Sequence, residues 1–448
     1  MTTAIMTKLV EKAMKNNLID DDAYAKNHVM RGLRHPNGTG VLVGLTDVGA
    51  VEGYILVDNV KVASEGKLYY RGIDLEALVQ GFQREDRRGY EETAYLLLFG
   101  ELPNAEELEQ FKTLLDEERQ LPPAFTENMI LKNPSKDIMN KLQRSVLVLY
   151  SFDDRPDDTD VENLIRQSIR LIAQFPTIIA YGYQAKAHYF KGESLIIHPP
   201  KRGVGTAENI LHMIRADSKY TETEAEVLDL CLVIHAEHGG GNNSAFATHV
   251  VSSSGTDTYS VITTALGSLK GPKHGGASSK VKAMVDDIIE NCTNWKDEST
   301  LKNYLRRMLA KEVFDASGLI YGMGHAVYTI SDPRVKLLKE KAYQLAMEKS
   351  AMDLYHLYEA IERLAGELLN EKRGDRAMIC ANVDLYSGFV YSLLKIPEDL
   401  FTPLFAAARI SGWCAHRVEQ IVSDPKIMRP AYISIGGERP YIGLPERE

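Results

Sequence analysis

Histidine and glycine crowd into three short segments of this 448-residue chain: His235-Ala-Glu-His238-Gly-Gly-Gly-Asn-Asn-Ser244, Gly271-Pro-Lys-His274-Gly-Gly-Ala277 and Gly322-Met-Gly324-His325-Ala-Val-Tyr-Thr-Ile-Ser-Asp332-Pro-Arg334. Glycine beside histidine presents an imidazole from backbone that can approach a ligand closely and take positive φ. One such histidine is ordinarily structural; three in one chain suggest a site. Zinc binding through His235 and His238 fits poorly, because the spacing is i, i+3, the order is not H-E-x-x-H and no third ligand is indicated. A dinucleotide turn fails because Gly322-Met-Gly324 continues as His-Ala-Val, with no third glycine and no strong strand before it. The G-x-x-x-x-G-K-[ST] phosphate loop is absent.

The rival needing most care is a serine hydrolase, since His238-Gly-Gly-Gly241 mimics an oxyanion segment of lipases and esterases. That chemistry also requires a G-x-S-x-G nucleophile turn. Gly267-Ser-Leu-Lys-Gly271 puts the serine one place too early, and the hydrolase reading drops away. In their order and spacing the three segments instead resemble the signature of the citrate synthases, including the 2-methylcitrate synthases. The resemblance extends to Leu68-Tyr-Tyr-Arg-Gly-Ile-Asp74, Phe175-Pro-Thr-Ile-Ile-Ala180, Asn382-Val-Asp384-Leu-Tyr-Ser-Gly388 and Leu404-Phe-Ala-Ala-Ala-Arg409, from about residue 50 to the end.

The resemblance implies condensation of acetyl-CoA with oxaloacetate and hydrolysis of citryl-CoA to citrate and CoA, with propionyl-CoA as the alternative thioester. It makes Asp384 the base that deprotonates the thioester methyl group. His274 becomes the hydrogen-bond partner of the thioester oxygen, and His325 the group that protonates the ketone. A carboxylate base and a neutral donor are what enol formation asks for. Arg334, Arg409 and Arg429, with His238, are implied as the oxaloacetate contacts, guanidinium forks suiting carboxylates. Arg429 would reach across a homodimer interface. No permanently bound cofactor or metal is implied, the acyl-CoA being a co-substrate. Family members often carry a basic residue after the motif histidine for the CoA phosphates. Ala326 and Thr329 stand there instead, leaving Lys273, Lys336 or Lys339 to compensate.

The elements that must position these residues read mostly as helix. After Asp160, a plausible N-cap, apolar residues recur at Val161, Leu164, Ile165, Ile169, Ile172 and Phe175, with Pro176 expected to end or kink the helix. Leu354, Leu357, Ile361, Leu364 and Leu368 form a second stripe, and 335–349 is rich in good helix formers. Strand signals concentrate in 53–71, as two short β-prone runs. Sustained strand–helix alternation is missing, which argues against a parallel sheet. The resemblance implies an all-α, two-domain fold with a minor N-terminal β-hairpin. Its large domain would hold 1–275 and 396–448, its small domain 276–395, with the site in the cleft.

Bulk properties agree. Apolar residues make up 44% and charged residues 25%, as in ordinary globular proteins. A formal net charge of −10 argues against general nucleic-acid binding. Apolar runs are too short for a bilayer span. Four cysteines lie far apart with no C-x-x-C, fitting a reducing, cytoplasmic location. The N-terminus has no arginine and carries Glu11 and Asp20 to Asp22, so it reads as an amphipathic helix rather than a transit peptide.

Overall fold

The two β-prone runs pair as expected. Gly49–Val57 (β1) and Val60–Tyr70 (β2) form an antiparallel ladder from Gly49↔Tyr70 to Val57↔Val60, irregular between Glu52 and Tyr54, and Ile73–Asp74 (β3) extends it beside β2. The structure, a computed structural model, describes residues 2–58, 60–373, 379–424 and 426–447. Helices supply most of the remaining regular structure. Up to residue 235 they are α1 (Thr2–Asn17), α2 (Asp21–Lys26), α3 (Leu75–Arg84), α4 (Tyr90–Phe99), α5 (Ala105–Glu118), α6 (Ile138–Leu149), α7 (Val161–Lys191), α8 (Thr206–Ile214) and α9 (Glu222–His235). Then follow α10 (Asn243–Ser252), α11 (Thr258–Lys270), α12 (Ala277–Asn291), α13 (Glu298–Leu309), α14 (Pro333–Glu348), α15 (Met352–Arg373), α16 (Asp384–Leu393) and α17 (Phe401–Ser423).

Two units separate by their internal packing: Met1–Val43 with Met428–Glu448, and Gly44–Ile427. In the first, α1 leaves Ile5, Leu9 and Met14 exposed, and the C-terminal segment exposes Tyr432, Ile433 and Tyr441. In the second, the α15 stripe is buried at Leu357, Ile361, Leu364 and Leu368. Among the described residues, no helix is long and apolar enough to cross a membrane.

Of the two outcomes expected at Pro176, ending the helix is corrected. α7 runs through Pro176 and continues to Lys191. Proline has no N–H to give the carbonyl four residues back, yet Phe175 to Gly182 are all buried. Packing of α7 against α5, α6, α8 and α17 holds the helix through the break. Asp160 does occupy the N-cap position, but its side chain makes no capping bond.

The hairpin has a positioning task. A Cβ on Gly53 would lie 2.7 Å from Tyr328 Cα, and one on Gly66 would lie 2.1 Å from Ser331 O. These two glycines let the segment 327–331 lie directly on the ladder. There Ser64 N–H donates to Thr329 Oγ1 (3.3 Å), Thr329 Oγ1 donates to Gly53 O (2.5 Å) and Gly66 N–H donates to Ser331 Oγ (3.2 Å). Thr329, one of the two residues standing where the resemblance implied a basic one, is used for docking.

Candidate active site

His325 follows backbone that favours glycine. Gly322 and Gly324 take φ of 82° and 89°, the left-handed region that costs a Cβ-bearing residue. A Cβ on Gly322 would also lie 2.9 Å from Leu385 Cβ. This closeness joins the His325 segment to the one leading into Asp384. Gly324 N–H donates to Cys380 O (2.8 Å) and Asn382 N–H to Gly322 O (2.9 Å). Asn382 Nδ2 donates to Gly324 O (2.8 Å), and Asp384 opens α16. Gly322→Ala is therefore expected to lower stability by about 2–4 kcal/mol and to lower turnover of the folded fraction. Urea unfolding and steady-state rates check this, and wild-type values in both would show that the joint tolerates a methyl group.

The ring of His325 is held in one orientation. Its Nδ1 accepts N–H bonds from Val327 (3.0 Å) and Tyr328 (3.1 Å). A nitrogen accepting two donors carries no proton, so the neutral ring is protonated on Nε2. The ring stacks on Tyr328, with centroids 4.5 Å apart, and meets His238 edge-on at 5.1 Å. The Arg334 guanidinium lies 5.7 Å from the Tyr328 centroid.

Asp332 caps α14, with Pro333 in the first turn. The same carboxylate takes Arg334 Nε (3.0 Å) and Nη2 (2.7 Å). Burial alone would weaken the charge on Arg334, but Asp332 outweighs it and the net shift is upward.

Arg409 is only 1% exposed. Its Nε donates to His235 O at 2.6 Å, while Nη1 and Nη2 are buried without a partner, as is His238 Nε2. Each buried donor left unmatched costs about 1–3 kcal/mol, so the two guanidinium nitrogens are open to an acceptor that a ligand brings. Burial lowers Arg409 to about 10. Burial, then Arg334, His325 and Arg409, hold His238 well below the usual imidazole range, so it is neutral.

His274 stands in the turn between α11 and α12. Gly275 behind it has no room for a side chain, since a Cβ there would meet Leu269 O at 2.4 Å. His274 Nε2 lies 3.1 Å from Ser244 Oγ, which also accepts from Trp413 Nε1 at 3.1 Å. Burial, then the charge of Arg409, lowers His274 to about 4. Asp384 moves the other way. Burial lifts it to about 6, even though Arg334 and Arg409 pull it down.

Of the residues singled out from sequence, His238, His325 and Arg334 are thus gathered around Tyr328. Arg409 acts electrostatically on His238, His274 and Asp384. Arg429 is exposed and belongs to the unit containing 428–448. Sequence reasoning missed Ser244, Tyr328, Asp332 and Trp413 as contributors. Ser244, Tyr328 and Asp332 stood inside the glycine–histidine segments, whereas nothing marked Trp413. Lys336 pairs with Glu76 and Lys339 with Glu359 and Glu362.

Comparison with known proteins now decides the family. The model for the citrate synthase C-terminal domain matches residues 38–431. The chain belongs to the citrate synthase family. It is 34% identical over 387 residues to the citrate synthase of Synechocystis, covering 86% of this chain and 89% of that one. To a 2-methylcitrate synthase of Corynebacterium glutamicum it is 32% identical over 407 residues, covering 89% and 95%. The citrate synthase of Thermoplasma acidophilum, solved with carboxymethyl coenzyme A and oxaloacetate, matches with a TM-score of 0.77 at 25% identity, over 93% of this chain and 99% of that one. The mostly helical fold with one small sheet is that of a citrate synthase, and the chain is an acyl-transferring enzyme of citrate synthase-type condensation.

Proposed function

We propose that this citrate synthase-family enzyme condenses acetyl-CoA with oxaloacetate and hydrolyses the resulting citryl-CoA. The observation that carries the reading is the set of unmatched buried polar atoms, the donors Arg409 Nη1 and Nη2 with His238 Nε2 near them, beside a carboxylate of raised pKa. A keto-diacid supplies the missing acceptors. Arg409 takes one carboxylate as a fork and Arg334 contributes the nitrogen not committed to Asp332. Asp384 removes a proton from the thioester methyl group while neutral His274 turns its one N–H from Ser244 Oγ to the thioester oxygen. The enol carbon attacks the ketone, whose oxygen takes the Nε2 proton of His325, and the methyl proton held by Asp384 replaces it, so that both groups return to their starting states. Water then cleaves the thioester, giving citrate and CoA.

His238, His274 and Arg409 lie outside 276–395, while His325, Arg334 and Asp384 lie within it. Inside that stretch α12 packs on α16, α13 on α15, and α14 on both α15 and α16. This supports a small domain of 276–395 and a large one of 1–275 with 396–448, closing on oxaloacetate to exclude water. Exposed apolar residues of α1 and of the C-terminal segment support a homodimer, with Arg429 supplied across the interface. Four unpaired cysteines support a reducing, cytoplasmic location.

Release of free thiol from acetyl-CoA, dependent on oxaloacetate, tests the reaction. Relatives named 2-methylcitrate synthase support propionyl-CoA as a second reading. One methylene is worth about 10–200-fold in such a pocket, so kcat/KM for the two thioesters separates them. We expect acetyl-CoA to be preferred; a preference of that size for propionyl-CoA would assign the second activity.

A further inference from the structure

Beneath Arg409 lies a buried charge pair that the reaction scheme does not use. Arg409, Gly412 and His416 follow one another at i, i+3 and i+7 along one face of α17. The Glu237 carboxylate lies over Gly412, where a Cβ would be 2.4 Å from Glu237 Oε2. From the other side Gly49 makes room, since a Cβ there would be 2.8 Å from Glu237 Cγ. Glu237 Oε1 is 3.0 Å from His416 Nε2, and neither side chain is exposed.

The neighbours of His416 favour its charged form. Gln420 Nε2 donates to Asp424 O (2.9 Å), which leaves Gln420 Oε1 as an acceptor 2.9 Å from His249 Nδ1. His249 therefore carries its proton on Nδ1. Its Nε2 accepts from His416 Nδ1, 3.0 Å away. His416 turns its other nitrogen to the Glu237 carboxylate at ion-pair distance, which favours the imidazolium form. Thr46 Oγ1 at 3.4 Å and Glu419 Oε2 at 3.9 Å complete its surroundings. Consistently, burial would lower His416 but Glu237 and Glu419 raise it to about 9. Glu237, which burial would raise, is held low by His416 first and Arg409 second.

We propose that Glu237 and His416 are a positioning pair for the substrate fork: His416 occupies the Glu237 carboxylate, so that the neighbouring Arg409 keeps Nη1 and Nη2 turned to oxaloacetate. An unneutralised carboxylate in this slot would draw the guanidinium into an ion pair of its own, since a buried charge left without a partner seeks one. The backbone contributes as well: His235 O holds Arg409 Nε, and His238 follows Glu237 directly in the chain. This inference rests on the reading of Arg409 as a carboxylate fork.

The test is calorimetric titration of oxaloacetate into the enzyme and four variants, alongside kcat at saturating substrates. His416→Gln should weaken oxaloacetate binding about tenfold or more, with kcat within about threefold of wild type. Glu237→Gln should bind oxaloacetate at least as tightly as wild type, and adding it to His416→Gln should restore affinity to within about threefold. A merely structural pair would make the double variant as weak as the single, and that result overturns the proposal. So does wild-type affinity in His416→Gln, or a tenfold loss in Glu237→Gln, which remains readable if His416→Gln does not fold. Arg409→Gln separates the two readings. If it binds oxaloacetate normally, the fork assignment itself has failed; if it does not and His416→Gln does, only the pair has.

Discussion

Asp384→Ala should lower kcat by about 10³-fold or more while leaving oxaloacetate affinity within a few fold of wild type. Asp384 is free of the guanidinium clamp that holds Asp332, which Arg334 binds through two bonds, and of the imidazole that faces Glu237. Its own pKa near 6 makes it a stronger base than an ordinary aspartate, yet ionised at neutral pH. Removing it takes away the only group proposed to accept the methyl proton, whereas the proposed oxaloacetate contacts lie on other residues. Proton–deuterium exchange of the acetyl-CoA methyl group should stop as well. Retained exchange in Asp384→Ala would remove Asp384 from the role of base.

The same pKa sets a pH dependence. The folded value of about 6 lies above the ordinary aspartate value of 3.8, so the folded state holds the Asp384 proton more tightly. The stabilisation from that proton is fully present below the unfolded value and fades as pH rises from about 4 to 6. Activity runs opposite, since kcat should fall as pH drops through 6 and the base is protonated. Asp384→Asn, neutral at every pH, should abolish turnover yet unfold at a slightly higher temperature at neutral pH. The gain should be on the order of 1–2 kcal/mol. A lower melting temperature would show that the carboxylate makes contacts worth more than its burial costs.

Much of this site was legible because its chemistry is carried by backbone. Glycines that flank His238, His274 and His325 are required by close approach or by positive φ, and such positions are visible in a single sequence. Asp384 carried no local signal and was reached only through resemblance. The supporting side chains were harder still. Trp413, His416 and Arg417 lie on α17, where charged and polar residues ordinarily face water. Here the helix is buried, and Arg417 is matched by Thr258 Oγ1, Ser252 Oγ and Thr256 O from the α10–α11 region. Those partners lie about 160 residues away in sequence, beyond any periodicity. Pro176 misled for the same reason, because tertiary packing rather than local propensity decided the length of α7. The hairpin was foreseen as strands, but its use as a seat for 327–331 depends on two glycines whose neighbours only the fold reveals.

Arg409→Leu should raise the apparent Kd for oxaloacetate about 10²-fold or more, because a buried guanidinium fork to a carboxylate is among the stronger polar contacts a site can make. Without substrate the same change should do little harm. In the unliganded enzyme Nη1 and Nη2 are buried and unmatched, so their removal relieves a desolvation cost. Glu237 keeps His416 as its counter-charge. The apo variant should therefore melt at or above the wild-type temperature, while the rise in melting temperature that oxaloacetate gives the wild type disappears. That crossing of effects distinguishes a binding residue from a structural one. An Arg409→Leu protein that loses stability and retains protection by oxaloacetate would place the guanidinium in the framework instead.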